Sequence, residues 1–247
     1  MGIKTENGFT IIEVMLFLAV TGLMAAAILV GSGVAIGQQR YRDSVNTLKS
    51  YVQQQYSEVT NVINSREKMW TCDANGNIVE VSMAAGDARG TSECVMLGRY
   101  VTIDATGKIV KGANVVGYRT PGAAEASSDL AELTSNYRLA VSPIDQDETE
   151  VSWGAQVVRQ NTSTPMSLTI LILRSPLSGT VLTFTAEGVQ TNLASLMTVA
   201  NMSQRRELCM NAEIGSFVGD RLSVRIDAYA TNQSAIQIPK ETESICD

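Results

Sequence analysis

The chain has 247 residues, 45% of them hydrophobic, and sets 19 Lys and Arg against 25 Asp and Glu for a formal net charge of −6. That acidic balance argues against nucleic-acid binding by this chain alone, which would need a basic face. With no His in the sequence, the usual base of a hydrolytic triad and the commonest metal ligand are missing. No GxSxG, Walker A or dinucleotide-binding pattern occurs either, so no enzymatic activity and no cofactor are expected.

At the N-terminus, Gly8-Phe9-Thr10-Ile11-Ile12-Glu13 is followed by an uncharged run over 14–37. The apolar stretch 9–37 exceeds the roughly 20 residues that a membrane-spanning helix needs. A carboxylate buried unpaired at its centre would cost about 2.5–3.5 kcal/mol, so Glu13 asks for a partner. A secretory signal has an apolar core of about 7–15 residues with the cleavage site behind it; here the run is longer and the small Gly8 stands in front. A plain signal anchor fits the length and leaves Glu13 unexplained.

This motif resembles the N-terminus of type IV pilins and pseudopilins. The resemblance implies that prepilin peptidase cuts between Gly8 and Phe9, methylates the new amine of Phe9, and leaves Glu13 as the acid that guides assembly. The physics agrees: a helix N-terminus favours negative charge, and an ammonium and a carboxylate attract far more strongly in low dielectric than in water. Glu13 then pairs with the amine of its own chain or with that of a neighbour, where it would set axial register. The leader 1–8 carries one Lys4 and one Glu6, and the anchor lacks the mid-helix proline of many relatives. Gly22, Gly31, Gly33 and Gly37 either take over bending, each weakening a helix by about 1 kcal/mol, or let neighbouring helices pack closely.

Beyond Gly37 the helix continues. Val45, Leu48, Val52, Tyr56, Val59, Val62 and Ile63 recur at spacings of three and four, one face of a helix. A helix over 9–65 would be about 85 Å long, with an amphipathic stalk over 38–66 that needs a sheet to pack on; a free coiled coil is the competing reading. The remainder, 67–247, reads as a β-rich head. Strands are expected at 77–83, at 94–103 and 108–118 around the turn Asp104-Ala105-Thr106-Gly107, and at 151–159, 168–174, 180–185, 207–210, 222–229 and 235–238. The segment 168–173 is apolar enough to be central in a sheet. Pro121-Gly122-Ala123-Ala124 is a linker, Ser127 or Ser128 caps a short helix through Leu133, and a second short helix covers 192–199. The fold class is α+β, one long helix on an antiparallel sheet, as the resemblance also implies; the size of the head allows one core or two sheets.

Cys72, Cys94, Cys209 and Cys246 all lie outside the anchor. The preferred pairings are Cys72 with Cys94 and Cys209 with Cys246, each closing a short loop and each stabilising by about 2–4 kcal/mol. A zinc site is the rival, without a CxxC pair or a His to support it. Asp145, Asp147, Glu148 and Glu150 share the polar segment 143–150, either a candidate calcium loop or a solvated connector without EF-hand spacing. Arg205 and Arg206 read as a solvated turn. Asn161, Asn201 and Asn232 begin glycosylation triplets, informative only for a secreted surface.

The resemblance implies a structural subunit of a type IV pilus-like filament: a single-pass protein of the cytoplasmic membrane with an extracytoplasmic head, later part of a surface fibre. Its partners would be membrane lipid, prepilin peptidase, the inner-membrane assembly platform and other pilin subunits. Pilus, secretion pseudopilus and DNA-uptake system all remain open, and the large head leans towards a minor subunit. A membrane-anchored binding or adhesion module that does not polymerise is the alternative.

Overall fold

A computed structural model describes residues 10–61, 70–80, 92–212, 221–240 and 243–246. Helix α1, Ile11–Thr60, is 50 residues long, about 75 Å. Thr10 caps it, and Asn61 closes it with its N–H on the Ser57 carbonyl. It therefore stops short of residue 65; Val62 and Ile63 lie outside the described residues. Glycines 31, 33 and 37 do not interrupt it.

The chain then forms an antiparallel β head. Strands β1 (Trp70–Cys72) and β2 (Ile78–Glu80) pair as a hairpin. The rest of the segment expected at 77–83 lies outside the described residues. Strands β3 (Cys94–Ile103) and β4 (Ile109–Arg119) form the hairpin expected around Asp104. The Asp104 Oδ1 accepts the N–H of Ile109 at 3.0 Å, and Gly107 takes the positive φ of 70° that closes the loop. Edge strands β5 (Tyr137–Val141) and β6 (Asp147–Glu150) pair with successive halves of β4. On the other side of β3 lie β8 (Leu168–Arg174) and β9 (Val181–Glu187). These six strands form the larger sheet. A smaller sheet runs β12 (Ile236–Gln237), β11 (Ser223–Ile226), β10 (Arg206–Asn211), β7 (Gln156–Val158).

Both sheets share one face of α1. Tyr41, Val45, Leu48, Val52, Tyr56 and Val59 pack on Val101, Ile103, Leu168, Ile170 and Ile172 of the larger sheet and on Leu208, Met210, Val224, Ile226 and Ile236 of the smaller. Burying those six helix side chains contributes at most about 9–18 kcal/mol, all of it from contacts within the one chain. The opposite face of the larger sheet carries Tyr100, Leu171, Leu173 and Phe184 and is covered by Leu133, Leu193 and Leu196. Strand β8 is thus buried on both faces, as its unbroken apolar run requires. In β3 a bulge between Met96 and Gly98 re-aims Leu97 into this second core.

Four expectations need correction. The segment 143–150 is no simple connector, because β6 occupies Asp147–Glu150. The strand expected at 151–159 begins with a 3-10 turn, Ser152–Gly154, since Trp153 and Gly154 both adopt positive φ (60° and 68°), and only Gln156–Val158 is extended. Residues 192–199 form two pieces, α3 (Leu193–Leu196) and α4 (Val199–Ser203), because Thr198 is extended and caps the second with its hydroxyl. Ser128 caps only the single turn α2, Asp129–Ala131, which continues as a π turn over Glu132–Asn136.

Candidate functional site

The two halves of α1 live in different environments. From Ile11 to Ile36, fifteen large apolar side chains are exposed, among them Leu23 at 74% and Leu29 at 74%. The most apolar window of the helix has none of its residues buried. Covering fifteen such side chains would be worth roughly 20–45 kcal/mol, more than a domain's net stability. Bare in water, a surface of this size is untenable, and its length and composition are compatible with a membrane anchor. Among the described residues α1 is the one helix long and apolar enough to cross a membrane. Its apolar half is about 40 Å long, against a hydrocarbon core of about 30 Å. Gly22, Gly31 and Gly33 have no neighbour within 4 Å of an added Cβ, so within one chain they perform no packing.

Glu13 stands at the start of this half. Its Oε2 accepts the Thr10 N–H at 3.2 Å and the Thr10 hydroxyl at 3.2 Å, while Thr10 Oγ1 accepts the Glu13 N–H at 3.3 Å. This is a reciprocal capping box. The carboxylate has a structural task of its own, which Thr10-x-x-Glu13 spells out and which the reading of Glu13 as a docking charge passed over. Gly8 and Phe9 lie outside the described residues, as does the leader.

The other half is locked to the head by polar ties. The Tyr41 hydroxyl donates to the Met210 carbonyl at 2.8 Å and accepts the Leu222 N–H at 2.8 Å. Tyr56 and Thr183 share a hydroxyl hydrogen bond of 2.9 Å, and burial pushes the Tyr56 phenol far above its ordinary range. Arg99 of β3 is 4% exposed. It donates to Gln55 at 2.7 Å and to Asn114 at 2.8 Å, and pairs with Glu58 at 3.2 Å and with Asp147 of β6. Asp147 also accepts the Tyr51 hydroxyl, and burial with that bond raises the Tyr51 phenol out of the range of ordinary titration. Gly112 makes room: a Cβ there would lie 2.6 Å from Arg99 Nη2 and 2.7 Å from both Asp147 Oδ1 and the Tyr51 hydroxyl.

These placements settle several candidates. Asp147 is engaged with Arg99, and Glu148 pairs with Lys111 at 2.9 Å, so neither is a loose loop carboxylate. Disulfides join Cys72 to Cys94 and Cys209 to Cys246, as expected; so bonded, the sulfurs cannot hold zinc. Arg206 opens β10 rather than a turn and pairs with Glu187 at 3.3 Å. The Asn232 Oδ1 caps a 3-10 turn by accepting the Ser234 N–H at 2.9 Å.

Where α1 enters the head, a cleft of about 540 Å³ is lined by Ile36, Gln39, Arg40, Arg42, Asp43, Asn46 and Trp153. Trp153 is left-handed at φ 60°, a conformation that costs a bulky residue about 1–3 kcal/mol. Its indole N–H donates to Asp43 at 2.7 Å and the Arg40 guanidinium lies 4.9 Å from the ring centre. No protein-family model, curated protein or solved structure matches this chain.

Proposed function

We propose that the chain is a structural subunit of pilin type in an extracytoplasmic filament built on its N-terminal helix. One observation carries this reading: a single continuous helix is bare and apolar over its first half and locked into a folded head over its second. A membrane anchor alone needs no such rigidity, since a flexible linker would tether a head equally well; a helix that packs into a fibre core must fix its head in one orientation. The disulfides suit an oxidising, extracytoplasmic setting. On this reading prepilin peptidase removes residues 1–8, methylates Phe9, and leaves Glu13 to meet an N-terminal amine. Lipid covers the apolar half until the assembly platform transfers it to neighbouring subunits. The size of the head favours a minor subunit.

Mass spectrometry of the mature chain, recovered from both membranes and sheared fibres, tests this. A start at methylated Phe9 and recovery in the fibre fraction are expected. A start at Met1 overturns the processing step. Correct processing with recovery in membranes only would point instead to an anchored adhesion module.

A further inference from the structure

We propose that Trp153, Arg40 and Arg42 form a seat for phospholipid headgroups, which holds the head against the membrane surface from which α1 emerges. The inference rests on the reading of 9–37 as a membrane anchor and specifies what the head does while the anchor is in lipid.

Position is the first support. The exposed apolar series ends at Ile36 and Gly37 is buried. Arg40 and Asp43 follow by three and six residues, about 5 and 9 Å along the axis. A tilt that fits the apolar half, about 40 Å long, into a core of about 30 Å reduces these to about 3 and 7 Å along the membrane normal, which sets the cleft within a headgroup layer about 5–7 Å deep. Charge is the second. Neither Arg40 nor Arg42 has an ion pair among the described residues, and both line the cleft of a chain whose net charge is −6. Guanidinium groups bind phosphate through paired N–H donors. Asp43, the carboxylate lining the cleft, is turned to the indole N–H.

The third support is the tryptophan itself. An indole belongs at the boundary between hydrocarbon and water, with its apolar ring towards the chains and its polar edge wet. Trp153 is held there by a left-handed backbone, by Asp43 and by Arg40, yet stays 52% exposed. The chain keeps a large ring outside its core at a cost in backbone strain, on the one side where the bare helix leaves the head.

Depth-dependent quenching tests the seat in the full chain, reconstituted in phosphatidylethanolamine–phosphatidylglycerol vesicles. The chain has two tryptophans, so Trp70→Phe leaves Trp153 as the sole emitter. Lipids spin-labelled at the headgroup should quench it at least twofold more than lipids labelled at the bilayer centre, and Arg40→Gln with Arg42→Gln should halve that quenching. A Leu23→Trp reporter, with both native tryptophans changed to Phe, reads the anchor independently. Quenching of Leu23→Trp by the mid-bilayer label, with Trp153 untouched by either label, overturns the seat and spares the anchor. Loss of both signals overturns both. Trp153 protection that appears only as the protein-to-lipid ratio rises assigns this surface to a second copy of the chain and likewise overturns the seat.

Discussion

Glu13 can act through its charge or through its hydrogen bonds, and two substitutions separate these. In the monomer its carboxylate accepts from the N–H and the hydroxyl of Thr10, both at 3.2 Å. Glu13→Gln keeps an acceptor oxygen at the same place and so keeps the capping box, which Gln serves as well as Glu. Glu13→Ala removes the acceptor and costs the helix start about 1 kcal/mol, roughly a fivefold loss in any equilibrium that needs that turn formed. If the proposed pairing with an N-terminal amine governs docking, both variants fail alike. Each strands a buried ammonium, a penalty of about 3–5 kcal/mol and hence a drop of at least a hundredfold in subunit association. The assay is the amount of chain in sheared fibres relative to the amount in membranes, by quantitative mass spectrometry at matched expression. The expected result is that Gln and Ala both fall below a hundredth of wild type. Glu13→Gln at wild-type level beside a fivefold loss for Glu13→Ala would refute the charge argument and leave Glu13 as a helix cap.

Three further outcomes follow from the head. Arg99→Met should lower unfolding stability by about 3 kcal/mol in denaturant titration of the detergent-solubilised chain; this is the low end for a broken buried pair, because Glu58 and Asp147 are 33% and 42% exposed and can turn to water. A loss under about 1 kcal/mol would deny the cluster its clamping role. Replacing Cys209 and Cys246 together by Ser should cost about 2–4 kcal/mol and expose the segment after β12 to limited proteolysis, since that bond spans 37 residues and holds the C-terminal end on β10; unchanged cleavage would contradict it. Glu132 accepts the Ala126 N–H at 2.9 Å and lies beside Asn136 and Arg119, which together hold its carboxyl below the ordinary range. A depressed pKa means that its contribution is present above the unfolded value, about 4.3, and is lost as pH falls through the folded one. Glu132→Gln should therefore flatten the loss of stability below that pH and leave the slope near neutrality unchanged.

What the sequence made legible was whatever a local pattern determines. The face of α1 from Val45 to Val59 follows from spacing alone, the β3–β4 hairpin from Asp104 and Gly107, and the central place of β8 from its apolar run. Loop length chose the disulfides correctly. The missed elements depend on residues far away in the chain. Asp147-Glu148-Thr149-Glu150 has no apolar alternation, and its strand is held by pairing with β4 and by Arg99, 48 positions upstream of Asp147. Nothing around Arg99 signals a buried cation, because its partners come from α1, β4 and β6. Strand β5 was readable in the alternation of Tyr137, Leu139 and Val141, which pack together on the second core, and was overlooked. The cap at Thr10 was equally readable, but the resemblance drew attention to the charge of Glu13 rather than to its acceptor oxygens.

The ties between α1 and the head fix more than stability. Tyr41, Gln53, Gln55, Tyr56 and Glu58 meet partners on β10, on β12 and the turn before it, on β3 and on β9, and hydrogen bonds are directional where apolar contacts are not. Sliding the helix by one residue rotates it by about 100°. That would carry the whole buried face out of both sheets and strip Arg99 of Gln55 and Glu58, its two partners on α1. No second register is close in free energy, so the rotation of the lower half about its axis is set by the head. Because α1 continues without a break through Gly37, the same rotation determines which of Leu16, Leu23, Val30 and Val34 face any given neighbour. Contacts made by the bare half with a lipid or a second helix thereby decide where the head stands, with no flexible joint between the described parts of helix and head to blur the result.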